Sequence, residues 1–225
     1  MCRVVEIGII LKTLLLTGGI GSGKSVVAKY LQGKGYPVYD SDTRAKGLYD
    51  SSPALLSAVK DEFGEGVVGD SGLLDRKVLA SKVFGDADAL ARLNAIVHPA
   101  VLEDFIAWRQ QQSDAELVVM ESAIALGIKM FRDIIDAVAY VDAPMELRIA
   151  RACERDGASR DAIAARIAAQ HFDMSLVDEV IVNDSGLQDL YASTDRALAH
   201  LLGKMSIFVN SNKTVPMFET QIKME

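Results

Sequence analysis

Residues 18–25 read Gly18-Gly19-Ile20-Gly21-Ser22-Gly23-Lys24-Ser25, a full match to the pattern Gly-x-x-x-x-Gly-Lys-Ser/Thr. The apolar run Lys12-Thr-Leu-Leu-Leu-Thr17 precedes it and has the makeup of a buried parallel strand; Ser25-Val-Val-Ala-Lys-Tyr-Leu31 follows it and has that of a helix. Strand, glycine loop and helix in that order distinguish a phosphate-binding loop from a ligand-free glycine turn. A loop wrapped around an anion needs left-handed backbone angles and no β-carbons in the way, which explains the glycines. The N–H groups and dipole at the start of the helix would face the phosphate. On this pattern Gly19, Gly21, Ser22, Gly23, Lys24, Ser25 and Val26 bind a nucleoside triphosphate. Lys24 would reach its β- and γ-phosphates and Ser25 would ligate Mg²⁺.

The chain has 225 residues, half of them hydrophobic and 24% charged, an ordinary balance for one domain with a substantial core. Its net charge of −7 argues against binding nucleic acid through phosphate neutralisation and favours small phosphorylated ligands. The two cysteines, Cys2 and Cys153, can build neither a metal cluster nor a disulfide framework, so a reducing cytoplasm is expected. The run Val4 to Leu16 is apolar, but Glu6 and Lys12 interrupt it and no small-residue cleavage site follows. No stretch reaches the roughly 20 apolar residues of a membrane span. Residues 1–11 are read as a lead-in of unknown role, or as the product of a start codon placed too early.

Beyond the first helix, Gly35-Tyr-Pro-Val-Tyr-Asp40 reads as a turn into a short second strand ending in Asp40-Ser-Asp42. Ligands of such parallel units bind at the carboxyl ends of the strands, which sets Asp40 and Asp42 beside the phosphate loop. From Thr43 to about Gln112 the pattern is helical. One helix starts at Pro53, one at Asp75 and one at Asp86 with Leu90, Leu93 and Val97 on a face; Pro99 restarts another with Val101, Phe105 and Trp108. Leu117 to Glu121 and Ala137 to Asp142 are the third and fourth strands, each ending in an acid. Either acid suits a Mg²⁺-bound water or a cap, with Asp142 favouring the cap.

Arg148, Arg151 and Arg155 lie three and four residues apart on one helix face, and Arg160 and Arg166 follow the break at Asp156 to Ser159. Two such helices suit a lid that puts guanidinium charge on a triphosphate, or a solvated face paired with Glu146, Glu154, Asp156 and Asp161. Glu179 to Asp184 is the fifth strand, where Asn183 could meet an adenine edge, and Leu187 to Leu202 is a closing helix. Gly203 to Glu225 lacks periodicity and reads as a loose tail.

Over roughly residues 12–203 the chain resembles dephospho-CoA kinases. The stretches that carry the resemblance are Leu16 to Ser25, Val38-Tyr-Asp-Ser-Asp42, Leu74-Asp-Arg76, Val83-Phe84, Leu93-Asn-Ala-Ile-Val-His-Pro99, Val141-Asp-Ala-Pro144, Arg151-Ala-Cys-Glu-Arg-Asp-Gly157 with Ser159-Arg160, Ala168-Ala-Gln170 and Val182-Asn-Asp184. The resemblance implies an α/β fold: a three-layer parallel five-stranded sheet with helices on both faces, as in nucleoside-monophosphate kinases. It divides the single domain, 1–225, into a core at about 12–42, 116–144 and 178–203, a helical CoA-binding region at about 43–115, a lid at about 145–172 and a tail at about 204–225.

The implied reaction carries the γ-phosphate of ATP, with Mg²⁺, to the ribose 3′-hydroxyl of dephospho-CoA, giving coenzyme A. Asp42 matches the family's proposed base, and with Lys24 and Arg155 makes the catalytic set. Arg151 and Asn183 join the nucleotide site; Asp40, Asp42 and His98 belong to the acceptor side. Partners are then the two substrates, with no nucleic acid and no membrane, in a monomer or weak homo-oligomer. The chain departs from the family after the third strand, where Leu-Leu-Phe-Glu or Ile-Leu-Phe-Glu is usual and Ser122-Ala-Ile-Ala-Leu-Gly127 stands here. That departure keeps a kinase for another acceptor, or an ATP-binding regulator, as alternatives.

Overall fold

Lys12–Gly18 forms β1, in which Leu14 and Leu16 face one side of a sheet and Leu15 the other. The structure, a computed structural model, describes residues 11–211. β2 (Val38–Asp40), β3 (Leu117–Glu121), β4 (Ala137–Asp142) and β5 (Glu179–Val182) complete a five-stranded sheet of order β2-β3-β1-β4-β5, with every pairing parallel. On one face Leu14, Leu16, Val119 and Val141 pack on α1 (Lys24–Gly33) and α9 (Leu187–Ser211) through Val27, Leu31, Leu198 and Leu201. Leu15, Tyr39, Val118 and Met120 cover the other face against the helical insertion. Burial on both faces is why these strands read as continuous apolar runs and not as alternations. The three-layer fold expected from the resemblance is the one found.

The insertion comprises α2 (Ser41–Ser51), α3 (Pro53–Phe63), α4 (Arg76–Val83) and α5 (Ala87–Gln110). Each start is written in a cap: Asp40 accepts from Thr43 N, Ser52 from Leu55 N, Asp75 from Lys77 N and Val78 N, and Asp86 from Ala89 N. Pro99 does not restart a helix as expected; it lies inside the single 24-residue α5. An interior proline costs about 3 kcal/mol in an isolated helix. Val97, Val101 and Phe105 straddle it on one buried stripe, and burying such side chains yields roughly 1.5–3 kcal/mol each, so packing keeps the helix continuous. Leu90, expected on that face, is exposed, and Ala89 is buried in its stead.

A short α6 (Lys129–Arg132) precedes β4. α7 (Met145–Asp156) and α8 (Arg160–Ala168) then pair through Ile149, Ala152, Ile163 and Ile167, with Gly157 at φ 64° ending α7. Asp142 does not cap α7, which begins at Met145 with Pro144 at the N-cap and no side-chain cap. The tail expected from Gly203 onward is still helix to Ser211; the rest of it, like residues 1–10, lies outside the described residues. Leu198, Leu201 and Met205 continue the buried stripe past Gly203, which explains the longer helix.

Candidate active site

Parallel pairing brings the carboxyl ends of the strands to one edge: Glu121 lies opposite both Leu16 of β1 and Asp40 of β2, and Gly18 opposite Val141. The phosphate loop leaves β1 at that edge and wraps into α1, whose N-cap is Gly23 at φ 94°. A cavity of about 460 Å³ opens over it, walled by the whole run Gly18 to Val26 together with Asp42, Ala123, Arg151, Arg155, Arg166 and Gln170. Most of the sequence candidates therefore converge on one cavity. Asp40, Asn183 and His98 do not line it.

Two loop glycines answer to the protein as much as to a phosphate. A β-carbon on Gly19 would fall on the Arg148 guanidinium, and one on Gly21 on the Arg148 carbonyl oxygen, while Gly21 sits at φ 75°. A left-handed angle costs an L-residue about 1–2 kcal/mol, and the α7 backbone cannot step aside. Gly21→Ala is therefore expected to weaken ATP binding by roughly tenfold or more in calorimetric titration. Wild-type affinity in that variant would show that the loop tolerates the shift.

Lys24 Nζ and Ser25 Oγ each donate to Glu121 Oε1 at 2.8 Å, and Glu121 is nearly buried. The acid at the end of β3, open in the sequence between a metal-linked and a capping role, thus sits directly behind the loop. Ser22 is almost fully buried, with no partner for its hydroxyl among the described residues. Burial pushes the Asp40 carboxyl up. Hydrogen bonds from the Thr43 N–H and hydroxyl, with Lys24 nearby, outweigh that and hold it below the usual range. Asp42 is next, in the first turn of α2, exposed, and its carboxylate takes no hydrogen bond or ion pair from the described residues.

Arg155 and Arg166 both reach the cavity and share Asp156: Arg155 donates twice, at 2.7 and 3.1 Å, and Arg166 at 2.8 Å. These hydrogen bonds hold the Asp156 carboxyl down to about 2. Arg160 pairs with Glu146 away from the cavity. Arg155 and Arg166, which line the cavity, thus also carry an acidic partner, as the solvated-face alternative expects. Asn183, expected at an adenine edge, is buried and spends one N–H on the Ser22 carbonyl at 2.7 Å, bracing the loop, while its oxygen faces Arg151 at 3.4 Å.

A second cavity, of about 700 Å³, lies beside the first, and Ala123 and Gln170 line both. Leu126, Gly127, Arg132 and Phe172 are among its walls, so the run that departs from the family pattern forms part of it. His98 stacks edge-on to Phe131 at 6.3 Å without lining either cavity, and burial pushes its imidazole pKa down. Sequence reasoning gave no role to Gln170 and none to Arg148 beyond a shared helix face. Yet Gln170 Oε1 accepts from Ile20 N at 2.7 Å and Arg148 Nε donates to Ile20 O at 3.0 Å. Nothing in the spacing could reveal partners 150 and 128 residues apart.

The family model for dephospho-CoA kinase matches residues 13–189. The dephospho-CoA kinase of Porphyromonas gingivalis is 41% identical over 175 residues, covering 76% of this chain and 85% of that one. That of Corynebacterium glutamicum is 33% identical over 196 residues, covering 85% and 98%. Among solved structures, TT1252 from Thermus thermophilus superposes with a TM-score of 0.70 at 34% identity, covering 86% and 97%. A dephospho-CoA kinase from Campylobacter jejuni shares the fold, with a TM-score of 0.55 at 20% identity over 85% and 97%. With its phosphate loop, its strand-end acids and nearly its whole sheet inside the matched span, this chain belongs to the dephospho-CoA kinase family.

Proposed function

We propose that the chain transfers the γ-phosphate of ATP to the ribose 3′-hydroxyl of dephospho-CoA, the step that yields coenzyme A. One observation carries the mechanism: the Asp42 carboxylate, without a partner among the described residues, lies on the phosphate-loop cavity, which adjoins a second cavity large enough for an acceptor. The bond between the γ-phosphorus and the bridging oxygen of ADP breaks as one to the acceptor oxygen forms. A ribose hydroxyl does not ionise near neutral pH, so Asp42 orients it and takes its proton as the new bond forms. Lys24 and the loop N–H groups hold the β- and γ-phosphates, and Arg151 and Arg155 meet the charge that spreads over the transferring group.

Ser25 and Glu121 present hard oxygen donors side by side and fit Mg²⁺, with Ser25 the expected ligand and Glu121 close behind it. When bound, the ion would supply positive charge that offsets part of the negative charge on the phosphates. Asp40, as the cap of α2, holds Asp42 in place, and Asn183 supports the nucleotide site from behind the loop. His98 is assigned to the acceptor side by the resemblance alone, since neither it nor Phe131 lines either cavity.

The reading assigns residues 43–115 to acceptor binding and 145–172 to a lid, within one kinase domain. It includes a cytoplasmic enzyme working as a monomer or weak homo-oligomer. No described helix is long and apolar enough to cross a membrane.

Arg155→Lys is expected to lower turnover about tenfold or more, because an ammonium cannot reproduce the paired donors of a guanidinium on a phosphate. Wild-type turnover in steady-state assays would reduce Arg155 to surface charge. The acceptor assignment is tested by a competition panel of dephospho-CoA, adenosine, other nucleosides and small polyols, with phosphorylated products identified by mass. Preference for any acceptor other than dephospho-CoA would overturn it.

A further inference from the structure

Resting on that reading and extending it, we propose that Gln170 is a positioning residue that fixes the crest of the phosphate loop and ties it to the wall shared with the second cavity. The crest residue Ile20 is held at both of its backbone polar groups. Its N–H donates to Gln170 Oε1 at 2.7 Å, and its C=O accepts from Arg148 Nε at 3.0 Å. Neither partner belongs to the loop or its helix. Arg148 sits on α7, and Gln170 follows the end of α8.

A glycine-rich crest has few internal restraints, because glycine loses more freedom on ordering than any other residue. Gly19 and Gly21 flank Ile20, so external hydrogen bonds decide how well the crest is ordered before nucleotide arrives. Arg148 can move with α7 alone. Gln170 differs in that it also lines the second cavity, and among the described residues only Ala123 shares that double position. Alanine offers no hydrogen bond, so Gln170 is the polar side chain common to both walls. An acceptor that fills the second cavity and presses on Gln170 therefore acts on the loop through a single hydrogen bond.

Preorganised donors contribute to transition-state charge without reorganising during the reaction, so loosening the crest lowers kcat more than it weakens ground-state ATP binding. Gln170→Ala is expected to speed amide exchange at Ile20 by about tenfold or more and to lower kcat by a similar factor. The KM for ATP should stay within about threefold. Gln170→Glu keeps an acceptor oxygen at the same reach and should restore slow exchange at Ile20, which separates positioning from a general packing loss. Thermal unfolding of both variants controls for folding.

Unchanged exchange at Ile20 in Gln170→Ala would overturn the proposal. So would faster exchange with wild-type kcat, failure of Gln170→Glu to restore protection, or a loss confined to KM. Wild type assayed alongside with dephospho-CoA keeps the two claims apart. If wild type ignores that acceptor, the functional reading fails, while the exchange data still decide on Gln170.

Discussion

Asp42→Asn lowers turnover by roughly 10²-fold or more while leaving the ATP dissociation constant within about threefold. The asparagine amide keeps the size and first-turn position of the carboxylate at the start of α2, so the cavity keeps its shape. What it loses is an acceptor for the proton of the attacking hydroxyl. Because Asp42 takes no ion pair from the described residues, its replacement strands no buried partner, and the fold should be unaffected. Turnover and ATP affinity both at wild-type values would remove Asp42 from the mechanism. Loss of ATP affinity equal to the loss of turnover would recast it as a binding residue.

Lys24→Ala combines two losses. The charge on the β- and γ-phosphates disappears, and removing one donor of this kind costs about 10²–10³-fold in kcat. Glu121 meanwhile loses the ammonium at 2.8 Å and keeps only the Ser25 hydroxyl. With both side chains largely shielded from water, at 13% and 8% exposure, an orphaned carboxylate there costs about 3–5 kcal/mol. Denaturant unfolding should therefore show a destabilised variant as well as an inactive one. Adding Glu121→Gln to Lys24→Ala should recover much of the stability and none of the turnover. Stability unchanged in the single variant would mean that water, and not Lys24, satisfies Glu121.

The strands and the phosphate loop were legible because local rules govern them: apolar runs buried on both sheet faces, glycines where the chain turns left-handed, and polar caps at Asp75 and Asp86. Pro99 misled because its local cost is smaller than the packing of Val97, Val101 and Phe105, which no window of sequence displays. Gly203 misled because a single glycine reads as the end of a helix, although Leu198, Leu201 and Met205 carry the buried stripe past it onto the sheet. Convergence of Lys24, Ser25, Asp42, Arg151 and Arg155 on one cavity followed from strand order and helix spacing. The supports around them did not. Asn183 on Ser22, Gln170 and Arg148 on Ile20, and the shared grip of Arg155 and Arg166 on Asp156 depend on how distant elements meet.

ADP release from Mg-ATP, measured with and without dephospho-CoA for wild type and Asp42→Asn in parallel, tests the account most directly. Release by wild type that depends on dephospho-CoA, and that collapses in the variant while ATP still binds, is the predicted result. Wild-type protein that binds ATP yet releases no more ADP when dephospho-CoA is added would contradict it, and would direct attention to the Ala125 to Gly127 segment of the second cavity.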